Sequence, residues 1–440
     1  MTTTLPYNTA PGSCHSCSAP GKIILFGEHS VVYGTTAIAA SLSSLRIHTA
    51  ITSTTNQLVT IQLKSFSFSC VFHLNDLSMA IHHATGNKTS IETAVIDHLQ
   101  PLLIKLTQRA HKNISKALLA LLYLYVQIVC VPFKNAAVGT FIINPCISNI
   151  ITHKTKFGDY ATATEPQPRG AIIEVESFGL PVGAGLGSSA AFSVSTTGAF
   201  LESILGTSID PSVVVLNNQN VTRPGEKRLN VINDWSFMSE KILHGNPSGL
   251  DNTTSTFGGA IVYVREPKSI RRLDLFPELK LMLINTNVPR ETSKLVAKVA
   301  GLRSKHTSVV DTIFAAMQCI ADDIVQGIES WRKNKNTNEA KCNQLVCKQM
   351  ESLMNVNQGL LASLGVSHPS LDTICNASAK YGYASKLTGA GGGGCAFSLL
   401  GVGNEIVQGG DSKGLRIELE KKHKFTVQVG VAGGVGVAIH

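Results

Sequence analysis

Only 15% of the 440 residues are charged and 6% are aromatic, with two tryptophans. A disordered chain combines low hydrophobicity with high net charge, and this composition excludes it. With aromatics so scarce, no basic stretch interleaved with aromatic residues offers a platform for stacking single-stranded nucleic acid, so no nucleic-acid partner is expected. The ten cysteines are scattered, and only Cys14 and Cys17 form a CxxC. A zinc site would need a second ligand pair at comparable spacing. Free thiols in a reducing, cytoplasmic compartment are therefore expected. Residues 1–20 carry neither a basic n-region nor an apolar h-region, so no secretory signal is expected. One uncharged apolar run, Ala117 to Phe133, falls short of the roughly 20 residues of a spanning helix. It contains Gln127 and Pro132, so a helix buried in a core is expected rather than a membrane span. Two nucleotide-binding fingerprints are also missing. No lysine follows Gly187 as a P-loop requires. Glu202, at the Rossmann acid's spacing of about 20 residues, falls inside an expected helix instead of at a strand end.

What is present is ample core material, with 43% hydrophobic residues in a chain long enough for two domains. The net charge of +9 favours anionic partners without choosing among them. Ile23 to Phe26 reads as a short buried strand, and Ala37 to Thr52 as material for several more. Residues 91–130 and 295–365 look mostly helical. Phe200/Ile204 and Leu201/Leu205 mark a helix over Ser188 to Leu205. A second apolar stripe runs through Val231, Trp235, Met238 and Ile242. Short strands are expected at Ala171 to Val175, Ala260 to Val264 and Leu279 to Ile284, and strands and glycine from Lys386 to the C-terminal end. Helices and strands interleave, so the class is α+β or α/β. Residues 131–170 lack helical period and read as an insertion or a translated intron.

Four segments carry chemistry. In Leu180 to Ala191, Gly183, Gly185 and Gly187 let the backbone bend close to a ligand, and Ser188 and Ser189 open a helix. A helix start offers unpaired N–H groups to an anion, although a glycine-rich turn with a serine cap would look similar. In Glu240 to Asn252, Glu240 lies off the apolar stripe, free to face solvent or a ligand, and Asp251 follows the turn Asn246 to Gly249. Two such carboxylates suit metal binding and proton handling, yet alone they read more simply as a solvated Glu and a capping Asp. Between Lys386 and Ala396, five glycines in six residues leave a loop without side-chain bulk, suited to backbone contact with a ligand. Lys22, at the start of the first strand, is followed by Glu28 and His29.

Together, Pro20-Gly21-Lys22, the Gly183–Ser189 loop and the Lys386–Gly394 loop resemble, in this order, the three motifs of the GHMP kinases. The segments SAPGKIILFGEHSVVYG, KILHGNPSGLDNTTSTFGGA and INTNVPRET are most similar to the branch that phosphorylates mevalonate, and the resemblance runs from about Ser18 to His440. It implies an α+β GHMP kinase fold. Residues 1–265 would form a domain like ribosomal protein S5 domain 2, and residues 266–440 a ferredoxin-like α+β domain. It also implies ATP-dependent transfer to the mevalonate 5-hydroxyl with Mg²⁺, in a cytoplasmic homodimer. Asp251 matches the catalytic aspartate, and Lys22 the lysine that positions it and lowers the pKa of the substrate hydroxyl. Ser189 and Glu240 match the metal ligands. Gly183, Ala184, Gly185, Leu186, Gly187 and Ser188 match the backbone that holds the ATP phosphates. Ser177 is the nearest counterpart to a serine that contacts ATP, one residue out of register; Ser65 is a candidate near the base. Glu28, His29 and Thr292 match substrate-side positions. The alternatives are another small alcohol or phosphoester acceptor, such as phosphomevalonate, and a non-catalytic ligand-binding paralogue.

Overall fold

The computed structural model describes residues 12–84, 91–108, 112–130, 170–205, 212–216, 219–273 and 275–440. The insertion expected at 131–170 lies, apart from Gly170, outside them. The centre of the fold is one antiparallel hairpin of β1 (Cys14–Phe26) and β2 (Thr36–Ser53). The short strand and the several strands expected there are two long ones. Register shifts at Pro20/Gly21 and Ile24/Phe26 absorb residues that would otherwise end a strand, so the pairing continues on either side. β2 also pairs with three later strands, which explains why nearly every residue from Thr36 to Thr49 is buried.

The same sheet is extended in chain order, with helices between its strands. The β3 (Leu58–Leu63) and β4 (Phe68–His73) hairpin leads to α1 (Ser78–Ala84), α2 (Ile91–Thr107) and α3 (Lys112–Leu124). α3 continues as a π-helical turn, Tyr125–Cys130. The stretch Asn113–Cys130 is long and apolar enough to cross a membrane, but 72% of it is buried inside the protein. The expected core helix is therefore present as far as Cys130; Pro132 lies outside the described residues. β5 (Ala171–Phe178) runs antiparallel to β2 and parallel to β3. α4 (Ser188–Leu205) packs on β1 and β2 and is buried from Ala190 to Ile204. Its hydroxyls are matched to this setting, as in the 2.9 Å contact of Ser195 Oγ with Thr49 Oγ1. Burying each Leu, Ile or Phe on such an interface contributes about 1.5–3 kcal/mol.

The hairpin of β6 (Ser212–Leu216) and β7 (Gln219–Arg223) precedes α5 (Glu226–His244) and α6 (Leu250–Phe257). β8 (Ala260–Val264) and β9 (Ser269–Leu273) follow, with β8 on the edge of β2. The remainder is built on β10 (Leu279–Asn285), with helices α7 (Thr292–Lys305), α8 (Thr307–Asn334), α9 (Glu339–Ser363) and α10 (Pro369–Lys380). β11 (Ser385–Leu387), β12 (Cys395–Val402), the short β13 (Glu405–Ile406), α11 (Ser412–Ile417), β14 (Thr426–Ala432) and β15 (Ala438–Ile439) complete it. β11, β12, β10 and β14 form an antiparallel sheet in that order, and β14 joins β2 at Ala432↔Leu42. Residues 433–440 then return to the first half: β15 pairs with β1, and Val437 N–H donates to Thr256 O at 3.0 Å. The fully buried Arg46 guanidinium donates to the carbonyls of Val435 and Gly436.

Candidate active site

β1 and α6 place a lysine and an aspartate side by side. Ser255 Oγ, one turn beyond Asp251, donates to Pro20 O at 2.7 Å, which fastens α6 to β1 beside Lys22. Lys22 Nζ then stands 3.4 Å from Asp251 Oδ1; the lysine side chain is 9% exposed and the aspartate 36%. Asp251, just past the expected turn, lies in the first turn of α6, because Gly249 in the left-handed region ends the turn and starts the helix.

The loop before α4 closes on the same lysine. Lys22 N–H donates to Leu186 O at 2.8 Å. Gly187 has φ 74°, and a Cβ there would press on the Lys22 side chain, so only glycine lets the loop lie this close. At Gly185 a side chain would collide with the Arg290 guanidinium. Gly183, Gly185, Gly187, Ser188 and Ser189 line a cavity of about 820 Å³. Ala184 and Leu186 do not; their carbonyls accept from Cys395 Sγ and Lys22 N–H.

Of the two settings open to Glu240, solvent or a ligand, the structure excludes open solvent. It is buried, and Oε2 accepts from Ser189 Oγ at 3.3 Å while Oε1 accepts from Ser193 Oγ at 3.2 Å. Its neighbours on α4 are hydroxyls rather than methyl groups, so a polar face of α5 could be an inner face. Burial pushes the Glu240 carboxyl up to about 8; nearby Asp251 adds to this, and the two serines and Lys22 oppose it. His244 Nε2 lies 3.0 Å from Ser189 Oγ. Burial lowers the His244 pKa.

The lining residues fall into two groups by origin. Ile47, Leu63, Ser65, Phe66, Val175 and Ser177 come from β2 to β5 and form one end. Ser177 Oγ donates to Leu180 O at 2.5 Å, and Ser177 N–H donates to Ser65 Oγ at 3.0 Å, so the two serines expected near the nucleotide meet each other. His29, Val32, Arg290, Thr292, Gly389 and Ala390 form the other end. His29 has φ 62°, and its Nε2 lies 2.8 Å from Ala390 O. Burial lowers its pKa, against the pull of that contact.

Glu28 also borders this end, but its carboxylate does not open onto it. It forms an ion pair with Lys386 in which both side chains are 0% exposed. Asn357 Nδ2 donates to its other oxygen at 3.4 Å. Lys386, read from the sequence as the opening of a glycine loop, is a sealed strand residue of β11. The loop after it also differs from expectation. Gly389 and Ala390 reach the cavity, whereas Gly392 and Gly394 N–H groups donate to Val366 O and Val288 O. Sequence reasoning passed over Ser193, Arg290 and Asn357. Ser193 sits at i+4 from Ser189 on one helix face, a signal that spacing alone offered; Arg290 and Asn357 come into range only through the tertiary fold.

The comparisons with known proteins agree with this geometry. A family model described as GHMP kinases N terminal domain matches residues 153–259, and one described as GHMP kinases C terminal matches residues 345–408. A mevalonate kinase of Gibberella zeae is 33% identical over 96% of the chain and 76% of that relative. One of Arabidopsis thaliana is 31% identical over 88% of the chain and 91% of that relative. Among solved structures, Methanococcus jannaschii mevalonate kinase superposes with a TM-score of 0.59 at 21% identity, covering 97% of this chain and all of that one. L. major mevalonate kinase in complex with R-mevalonate gives 0.58 at 17% identity, covering 97% of this chain and 98% of that one.

Proposed function

The chain belongs to the mevalonate kinases, within the GHMP kinase family, and from that premise we propose how its own residues carry out ATP-dependent phosphorylation of the mevalonate 5-hydroxyl. The observation that carries the reading is the Lys22–Asp251 pair, at 3.4 Å, beside the glycine loop in one cavity. ATP lies with its base toward Ser65 and Ser177 and its phosphates on the loop from Gly183 to Ser189, where the start of α4 favours negative charge. Mevalonate takes the end bordered by His29, Arg290 and Thr292.

In the transfer, the 5-oxygen forms a bond to the γ-phosphorus, the bond from that phosphorus to the β-bridging oxygen breaks, and ADP leaves. Asp251 accepts the hydroxyl proton. Lys22 holds the aspartate and the incoming oxygen in line and stabilises the charge that develops there. Arg290, between the two glycine loops, adds positive charge on the phosphoryl path. Ser189 and Glu240 are hard oxygen donors, the chemistry Mg²⁺ prefers, and a cation beside the buried Glu240 would offset the burial that pushes its carboxyl up. Among the described residues no group of three or more His, Cys, Asp or Glu gathers around a metal position. A two-ligand Mg²⁺ completed by phosphate and water fits that donor set, and when bound it supplies charge neutralisation on the phosphates. Nine described cysteines are free, which supports a reducing cytoplasmic setting.

The test is ADP release with mevalonate, phosphomevalonate, homoserine and galactose offered separately at fixed ATP and Mg²⁺. Turnover is expected with mevalonate well above the rest. Preference for another acceptor would overturn the substrate, and no ADP release with any of them would overturn the reaction.

A further inference from the structure

The sealed Lys386–Glu28 pair has no part in the transfer described above, yet it joins the two halves of the molecule behind the acceptor end of the cavity. Lys386 Nζ meets Glu28 and also donates to Leu387 O at 2.8 Å. The rings of Phe26 and Phe397 flank it, 5.8 and 5.3 Å from Nζ to their centroids. Asn357, from α9, reaches the second Glu28 oxygen, and the neighbouring Gln358 Oε1 accepts from Leu387 N–H at 2.9 Å. So β11, α9 and the corner after β1 are stapled at one point. That corner is tight. Gly27 has φ 92°, His29 has φ 62°, and the His29 imidazole crosses to Ala390 O on the far wall. A buried charge pair makes a poor stabiliser when an apolar pair could replace it, so its presence points to geometry.

We propose that Lys386 is a positioning residue for the acceptor substrate: by holding the Glu28 carboxylate away from the cavity, it sets where His29 stands against Ala390 and so fixes the wall that orients the accepting alcohol. The proposal deepens the kinase reading and rests on it. Glu28 then acts from behind the wall, without touching substrate, and Lys386 acts only through Glu28. The nucleotide end, built from β2 to β5, shares no residue with this staple.

The test uses full-length K386M, E28Q and E28Q/K386M, with ADP release measured against the acceptor and ATP in turn, and melting temperature beside it. The acceptor is whichever alcohol wild type turns over, so a wrong substrate shows in wild type and a wrong staple shows in the variants. K386M is expected to raise the acceptor KM about ten- to a hundredfold, the scale of an ångström-sized misplacement. The ATP KM should stay within about twofold. In the E28Q background K386M should change the acceptor KM by less than about twofold, since the two residues act as a unit. A lower melting temperature with the acceptor KM at its wild-type value would overturn the proposal, as would multiplying effects in the double variant. If K386M yields no soluble protein, E28Q against E28Q/K386M decides: equal and raised acceptor KM supports the staple, and wild-type values in both overturn it.

Discussion

Two lysine–carboxylate pairs extend from β1 and the corner after it, and they differ in almost everything but composition. Lys22–Asp251 is separated by 3.4 Å, and its aspartate side chain is 36% exposed. Lys386–Glu28 is in direct contact with both side chains at 0% exposure and takes further hydrogen bonds from Asn357 and to Leu387. A loose pair at a cavity wall can exchange partners when a hydroxyl and a phosphate arrive. A sealed pair cannot, because each charge would be left in a medium that solvates it poorly. Openness separates chemistry from scaffolding here, and residue type does not.

Breaking the open pair should have the largest consequence for rate. Asp251→Asn is expected to keep the fold and ATP binding while turnover falls about 10²–10⁴-fold, the usual share of a general base. Single-turnover kinetics with separately measured nucleotide affinity checks it; near-normal turnover would remove Asp251 from the chemistry. Breaking the sealed pair should act on stability as well as on the acceptor KM, and not on the chemical step. Lys386→Met leaves a buried carboxylate unpaired and is expected to destabilise by about 3–5 kcal/mol, whereas Glu28→Gln/Lys386→Met recovers most of that. Denaturant melts of the three proteins check it, and equal losses in single and double variants would contradict it.

Glu240 sharpens the contrast because it is buried without a lysine in contact. Its folded value of about 8 lies above the ordinary carboxyl 4.5, so the folded protein holds this proton more tightly than the unfolded chain does. The resulting stability is complete below about 4.5 and is lost as pH rises through about 8. The metal-free melting temperature should fall across that window, and Glu240→Gln should flatten the slope. Glu240→Gln and Ser189→Ala should each also raise the Mg²⁺ concentration needed for half-maximal activity; unchanged Mg²⁺ titrations in both would count against them as ligands. The smallest effect is expected at a third, solvent-accessible set, Lys64 with Glu174 at 2.9 Å and Glu176 at 3.6 Å. Lys64→Ala should leave the melting temperature unchanged within error, because solvent screens such pairs.

The glycine loop with its helix was legible because both signals are local. The glycine spacing and the i,i+4 pairs of α4 predicted Ser188 to Leu205, and α4 has those bounds. Lys22 and Asp251 were legible only through family resemblance, since they lie more than half the chain apart and no spacing rule reaches so far. The periodicity of α5 left Glu240 open between solvent and a ligand for a physical reason. Amphipathic reasoning equates a polar face with solvent, but α4 offers Ser189 and Ser193 to that face, so a polar interior imitates a surface. Lys386 was misread because a charge beside five glycines looks like a loop entrance. Its partner, Glu28, lies near the other end of the sequence. The lengths of β1 and β2 escaped for a similar reason: Pro20 and Gly21 signal a break, and the bulge that tolerates them depends on the partner strand.

Residues 433–440 complete the first half of the molecule. β15 pairs with β1, and Val437 N–H holds a carbonyl of the helix that carries Asp251. A nascent chain emerges from the ribosome in the opposite order, with β1 made long before β15. Domains generally fold as units during synthesis, N-terminal part first. Here that part must wait, with one edge of β1 open and Arg46 lacking the carbonyls of Val435 and Gly436, until residues 433–440 have been made. The aspartate helix gains this support only then, so Asp251 is fully held only once residues 433–440 have reached it.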